Sequence, residues 1–351
     1  MIRAVHLLDD FAMGGVTRSL LLHERPELAS IARSTVVPVA ASCRVAPHYD
    51  ADLIITHFPP SWKRLSFLAS LRLRNPKARL IHVEHSYTKS FEARRVAKRA
   101  RFRTMLTLAL SFFDEILCVS QAQADWLEEA ARLDHKKPIV INPWSNRAQL
   151  LQVEQLKPLA KNAPLRLAAY GRFAEPKNFL AAIQAVRRFQ PGEVELHLGG
   201  TGPDEEEMRA STEGCSSIHF HGMIDDVPAF LGECDALIVP SEWEAFGLVA
   251  TEARLAARPI LVANVDGLPE QVGEAYPAGL VAEMRTPDDI ERAIRHFRTL
   301  PLSEMGWRGR QAARNIESEV LAGWRGVYLR AHHGRAANYQ TDGHNPARLS
   351  A

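Results

Sequence analysis

Cysteine is scarce in this chain of 351 residues: there are four, Cys43, Cys118, Cys215 and Cys234. None is spaced as C-x-x-C and no paired-histidine motif accompanies them, so neither a disulfide framework nor a zinc site is expected. A reducing compartment fits this usage best. Long apolar runs are also missing. The run Ala4 to Leu8 ends at Asp9-Asp10, too short for a secretory signal, and Met105 to Phe113 is too short to cross about 30 Å of hydrocarbon. A cytoplasmic protein with no membrane anchor of its own is expected. No G-x-G-x-x-G opens a helix, which disfavours a nicotinamide dehydrogenase. An excess of one charge is absent too: the formal net charge is +2, a balance that hides local asymmetry.

What is present is ordinary globular material, 46% hydrophobic and 24% charged, in a chain long enough for two core-bearing domains. In the first half, Ile2 to Leu8, Thr35 to Ala40, Leu53 to Phe58, Leu80 to His85, Glu115 to Ser120 and Ile139 to Asn142 read as short apolar strands separated by helical segments. That alternation implies a parallel, doubly wound sheet, whose ligands sit beyond the carboxyl ends of the strands. Three features lie at such ends. Gly14-Gly15, after the first strand, can bring backbone close to a phosphate or an acceptor. Glu84, His85 and Ser86 follow the fourth strand, and His57 follows the third as a weaker second candidate.

The run Arg94 to Arg103 carries Arg94, Arg95, Lys98, Arg99, Arg101 and Arg103 with no acidic residue, interleaved with Val96, Ala97, Ala100 and Phe102. Such a basic amphipathic run suits an anionic membrane surface, a solvated helix face or nucleic acid; no nucleic-acid motif accompanies it. Ser145 to Ala163, polar and containing Pro158, reads as a linker between two sets of strands.

Beyond it, the strand Leu165 to Tyr170 leads into GRFAEPKNF, where Arg172 and Lys177 flank a Glu-Pro loop entering a helix. Two cations at a helix N-terminus oppose its dipole unless an anion lies between them, so the pair fits a diphosphate clamp. The buried run Ala236 to Val239 leads into PSEWEAFGLVATE. This strand-loop-helix corner places Phe246, Gly247 and Leu248 at a helix start, where unpaired N–H groups attract phosphate. Glu244 lies before that turn and Glu252 about two turns along the helix at ~3.6 residues per turn.

The string EAFGLVATEA, with seven residues between its two glutamates, resembles the signature of retaining GT-B glycosyltransferases of family GT4, the group 1 family. Arg172 and Lys177, the Gly-rich exit Gly199 to Pro203, the Gly222-Met223-Ile224 turn and Gly267-Leu268-Pro269-Glu270 resemble the family's motifs in order and spacing. The dense match covers Leu165 to Val272, and Asn142-Pro143 stands where the family usually has Asn-Gly. The resemblance implies an α/β fold of two Rossmann-like, doubly wound parallel-sheet domains facing a cleft. Residues 1–150 would hold the acceptor and 164–315 the nucleotide-diphosphate sugar donor, a helix over 316–333 would cross back, and 334–351 would be a polar tail. It further implies that Arg172 and Lys177 hold the diphosphate, Met223 and Ile224 lie near the nucleobase, Glu252 binds the ribose, and Glu244 with His85 holds the sugar. Gly14, Gly15, Phe246, Gly247 and Leu248 complete the donor site.

The reaction expected on this resemblance is hexosyl transfer with retention, without metal or cofactor, from a UDP-sugar first or GDP-mannose next. Its acceptor would be a glycan or lipid-linked molecule of cell-surface polysaccharide, lipopolysaccharide or glycolipid synthesis. The basic run then points to the inner face of a membrane and not to nucleic acid. A same-fold epimerase or phosphorylase and a non-catalytic nucleotide-sugar binding protein are the rival readings.

Overall fold

The structure, a computed structural model, describes residues 1–10, 15–133, 136–160, 163–275 and 277–342. Its first half forms strands β1 (Ile2–Leu8), β2 (Ala32–Pro38), β3 (Leu53–Thr56), β4 (Arg79–Glu84), β5 (Glu115–Cys118) and β6 (Ile139–Val140). They pair in the order β2-β1-β3-β4-β5-β6, every pairing parallel. The second half forms β7 (Leu165–Tyr170), β8 (Val194–Gly199), β9 (Ile218–Gly222), β10 (Ala236–Val239), β11 (Ile260–Ala263) and β12 (Gly279–Ala282). Their order is β12-β11-β10-β7-β8-β9, again all parallel.

Burial explains the run-like strand sequences. In β3, β5, β10 and β11 every residue is buried, because helices cover both faces of a parallel sheet. Successive side chains still alternate between faces: Ile54 joins one core of the first half, Leu53 and Ile55 the other. Each sheet has one place where the winding changes direction, between β1 and β3 in the first and between β7 and β10 in the second. Such switch points open a crevice at the strands' carboxyl ends. His57, after β3, lies at one; Arg172, Lys177 and Glu244, after β7 and β10, lie at the other.

The helix Ile316–Asp342 crosses back from the second half. Val320, Trp324, Val327 and Tyr328 enter the same core as Ile2, Ala4, Leu22 and Leu28. The fully buried Tyr328 hydroxyl hydrogen-bonds to Nδ1 of His23 at 2.8 Å and to the Ser34 hydroxyl at 3.1 Å. This helix runs on to Asp342, past the point at 333 where a polar tail was expected, since polarity without proline does not end a helix; residues 343–351 of that tail lie outside the described residues. The expected linker is also more ordered than its composition suggests. Ala148–Gln152 forms a 3-10 turn, Leu150 and Leu156 enter the second core, and Arg258 and Arg310 donate to the Glu154 and Val153 carbonyls at 2.9 and 2.6 Å. Among the described residues, no helix is long and apolar enough to cross a membrane.

Candidate functional site

Gly247 makes the corner after β10 possible. It adopts φ +85°, a left-handed conformation that costs other residues about 1–2 kcal/mol, and a Cβ there would meet Leu268 Cδ2 at 2.6 Å. The helix Leu248–Leu255 starts directly after it. Phe246 is buried behind the turn and its carbonyl accepts from the Gln271 side chain at 3.3 Å. Facing this helix start, the loop after β7 carries Lys177, whose ammonium is ion-paired with Glu244. Ser241 donates to the same carboxylate at 3.4 Å. Arg172 is exposed and has no carboxylate partner among the described residues. Close backbone packing holds that loop in place: Gly200 has φ +134°, and a Cβ there would lie 1.9 Å from the Gly171 carbonyl oxygen.

Glu252 is 2% exposed, which removes the possibility that it coats a solvated helix face. Tyr170 donates to its Oε2 at 2.6 Å, and Arg147 Nε lies 2.9 Å from Oε1 as an ion pair without hydrogen-bond alignment. Burial raises the Glu252 pKa above the ordinary carboxylate value, while Arg147, Tyr170 and Arg18 oppose the rise.

On the first-half side, Glu84 shapes the turn that presents His85. Its buried carboxylate accepts from the amides of Ser86 and Tyr87 at 2.7 and 2.9 Å. Burial alone would raise the Glu84 pKa, but His82 and these amides bring it below its ordinary value. Nε2 of His85 lies 3.1 Å from Nδ1 of His57, and Nε2 of His57 lies 3.0 Å from Nδ1 of His6. Burial holds all three neutral, His85 down to about 4 and the other two well below the ordinary value. Nε2 of His6 is buried without a partner. An orphaned buried N–H is rare, so the His6 proton is assigned to Nδ1. Donation then runs from His6 to His57 to His85 and leaves Nδ1–H of His85 as a donor. His57 is thus joined to His85, and His6 is a member that its place inside an apolar strand concealed.

The two halves meet around these groups. Asp266, itself at φ +45°, accepts from the Glu244 amide at 3.1 Å and from the Ser90 amide at 3.0 Å. Glu270 accepts from the amides of Gln121 and Ala122 at 3.0 and 2.7 Å, the first two of the helix Gln121–Ala131. Arg94 pairs with Glu242 at 3.3 Å and Arg95 with Glu175 at 2.9 Å.

These pairs divide the basic run, whose sequence holds no acid but whose folded surroundings supply several. Arg94 and Arg95 face the second half, and Arg103 is held by Glu92 at 2.7 Å and Glu129 at 3.0 Å. Lys98, Arg99 and Arg101 remain exposed without a carboxylate partner among the described residues, Arg101 lying 5.4 Å from the Trp62 ring centre. Gly15 begins the helix Gly15–Leu20, while Gly14 lies outside the described residues. Met223 is 66% exposed beside Ile224, whose side chain packs under Gly199. Arg147 and Tyr170 escaped the sequence reading because one sat in an apparent linker and the other ended a strand; only tertiary packing joins them to Glu252. An Asp-x-Asp does occur, Asp50 to Asp52, but it precedes β3 and its two carboxylates engage Arg3, far along the sheet from the strands' carboxyl ends.

A family model described as Glycosyl transferases group 1 matches residues 154–315, and one described as Glycosyltransferase Family 4 matches residues 23–146. An uncharacterized 41.2 kDa protein in the cps region of Klebsiella pneumoniae is 24% identical over 215 residues, 60% of this chain and 59% of that protein. The chain spans less than two thirds of the length of such curated relatives. Among solved structures, Anabaena HepE in complex with UDP-glucose superposes with a TM-score of 0.72 at 16% identity, covering 96% of this chain and 100% of that one. WaaG, a glycosyltransferase involved in lipopolysaccharide biosynthesis, gives 0.63 at 14% identity, covering 91% and 98%. These likenesses show the two-domain GT-B fold.

Proposed function

The chain belongs to the group 1 glycosyltransferases of family GT4, and on that premise we propose that it moves a sugar, with retention of anomeric configuration, from a nucleotide-diphosphate donor to a glycan or lipid-linked acceptor. A UDP-sugar is the first choice of donor and GDP-mannose the next; the UDP-glucose bound by HepE supports the former. The cps-region relative and WaaG support a role in cell-surface polysaccharide or lipopolysaccharide synthesis. One observation carries the reading: the Lys177–Glu244 ion pair lies at the β7/β10 switch point, with Glu244 against the Gly247 corner that starts the Leu248–Leu255 helix, and Arg172, on the same loop as Lys177, is exposed with no carboxylate partner among the described residues.

The pair suggests how the donor is taken up. A diphosphate entering between Arg172 and the helix start competes for Lys177. Its capture of the ammonium frees the Glu244 carboxylate to accept hydrogen bonds from sugar hydroxyls. As the bond from the anomeric carbon to the β-phosphate oxygen breaks, Arg172, Lys177 and the helix amides stabilise the charge growing on the departing phosphate. The acceptor hydroxyl attacks from the same face and gives its proton to that phosphate oxygen, so no residue need act as nucleophile. Neutral His85, oriented by His57 and His6, donates through Nδ1–H toward the sugar. These cations and amides meet the electrostatic need without a metal ion. Lys98, Arg99 and Arg101 are left to steer the protein to an anionic surface carrying a lipid-linked acceptor.

Thermal unfolding with UDP, GDP and ADP, for the natural chain and Arg172→Ala, tests the donor site. A nucleotide at about 100 times its dissociation constant stabilises by ~2.7 kcal/mol. A shift with one nucleotide that is lost in Arg172→Ala supports the clamp and identifies the donor class. No shift with any of them overturns it.

A further inference from the structure

On the outer edge of the second sheet, Glu195 and His197 stand two apart on β8, and His219 and His221 two apart on the edge strand β9. Residues two apart on a strand share a face. The register sets His197 directly opposite His219, so all four side chains share one patch, while Val194, Leu196, Leu198 and Ile218 fill the core on the opposite face. From this geometry we propose that Glu195, His197 and His219 form a binding site for a divalent transition metal, with zinc the best fit, that clasps the edge strand β9 to β8.

One ligand atom from each of the three residues lies within 4.8 Å of the others. Two zinc ligands at ~2.1 Å in tetrahedral geometry are about 3.4 Å apart; His197 Nε2 and Glu195 Oε2 are 3.6 Å apart. His221 supplies the outer support. His197 Nδ1 is 3.0 Å from His221 Nε2, and donation across that contact fixes the His197 tautomer and ring orientation. With His197 as the donor in that contact, its Nε2 carries the lone pair, shielded from solvent and 3.6 Å from the Glu195 carboxylate. Two lone-pair groups held face to face call for a cation between them. Imidazole nitrogen with a single carboxylate oxygen is a donor set suited to zinc, and three protein ligands leave a position for water. The His219 and His197 ring centroids lie 4.7 Å apart, which keeps the second imidazole within the same cluster.

The site is separate from the diphosphate clamp, and its assignment does not depend on the transferase reading. It has a mechanical consequence: β9 ends at Gly222, immediately before the exposed Met223. A metal joining β9 to β8 stiffens the strand from which that loop emerges.

The test uses the full chain freed of metal with EDTA, titrated with zinc chloride and, separately, with cobalt chloride as a spectroscopic probe. One equivalent is expected to bind, cobalt with tetrahedral-type visible bands, and saturating zinc is expected to raise the unfolding midpoint by about 5–10 °C. His219→Asn and Glu195→Gln should each weaken binding at least about 10-fold, in line with loss of a ligand or its support, while His48→Gln, at an exposed histidine elsewhere, leaves it unchanged. Absence of a saturable equivalent, or binding undiminished in both His219→Asn and Glu195→Gln, overturns the site. Nucleotide-induced stabilisation in the same variants should stay as in the natural chain, so failure of the metal site and failure of the donor clamp are read separately.

Discussion

Acid should unfold the first half of this protein while sparing the second. His6, His23 and His57 are 0%, 4% and 8% exposed. Burial lowers the His23 pKa to about 3 and the other two well below the ordinary 6.5. A histidine of this kind takes up its proton only on unfolding. Its contribution is therefore complete above pH 6.5 and is lost as the pH falls. At pH 5, 1.5 units below the unfolded value, each histidine that stays neutral costs about 2 kcal/mol, and with His85, lowered to about 4, the first half holds four such rings, about 8 kcal/mol together. That is comparable to the whole stability of a typical domain, about 5–15 kcal/mol. The lowered pKa values of Glu84 and Glu92 act only below about pH 4.5, beneath this window. In the second half, the raised pKa of Glu252 works oppositely, favouring the fold as the pH falls and losing that contribution as the pH rises. Hydrogen exchange read by mass spectrometry at pH 7.5 and 5.0, corrected for intrinsic rates, separates the halves. Amides of β1 and β3 should lose several kcal/mol of protection, those of β10 and β11 little. Fluorescence of Trp324, whose ring is 4.6 Å from His23, should follow the same transition. His6→Phe should reduce the pH dependence by about a quarter. A loss below ~1 kcal/mol in the first half, or an equal loss in both, would refute the assignment of these rings as buried and neutral.

Arg147→Met should destabilise the second half by about 3–5 kcal/mol, because it strands a buried carboxylate; urea unfolding should show this cost shrink at low pH, where Glu252 protonates, and in an Glu252→Gln background. Gly247→Ala should cost at least about 1–2 kcal/mol from its backbone alone and weaken nucleotide binding; an unperturbed unfolding midpoint would contradict the +85° corner. Replacing Lys98, Arg99 and Arg101 together with Ser should reduce binding to anionic vesicles roughly 100-fold, at about 1 kcal/mol per charge. Replacing Arg94 and Arg95 instead should change vesicle binding much less, and equal effects of the two sets in a sedimentation assay would reject the division drawn here.

Strand content was legible where sequence and burial coincide. Ala236–Val239 has the bounds its apolar run implies, and the corner that follows is readable because Gly247 interrupts good helix formers. By contrast, Ile139 to Asn142 shrinks to the two-residue β6, since apolarity alone does not set where an edge strand stops pairing. The linker reading overweighted polarity: Leu150 and Leu156 anchor a segment whose other side chains are mostly exposed. Arg172, Lys177 and Glu244 follow the strands of one switch point, so local motifs could single them out as candidates. The partners that set their chemistry were invisible, because Arg147 to Glu252 and His6 to His57 are contacts between positions remote in sequence. The division within the basic run was hidden for the same reason, the carboxylates that pair with Arg94 and Arg95 arriving from positions 242 and 175. The histidine patch on β8 and β9 needed the strand register before its spacing had meaning.

The crossing helix also bears on how the protein is born. Val320, Trp324, Val327 and Tyr328 complete a core whose other walls include Ile2, Ala4, Leu22 and Leu28. A ribosome adding about 5–20 residues per second delivers Tyr328 on the order of 10–40 s after the first sheet's last strand. Through that interval the earliest-made sheet has one apolar flank, with His6 and His23 among it, open to water and to other nascent chains. The half synthesised first is thus finished last, and chaperone capture during translation should fall on β1 and β3 until the far end of the chain returns to cover them.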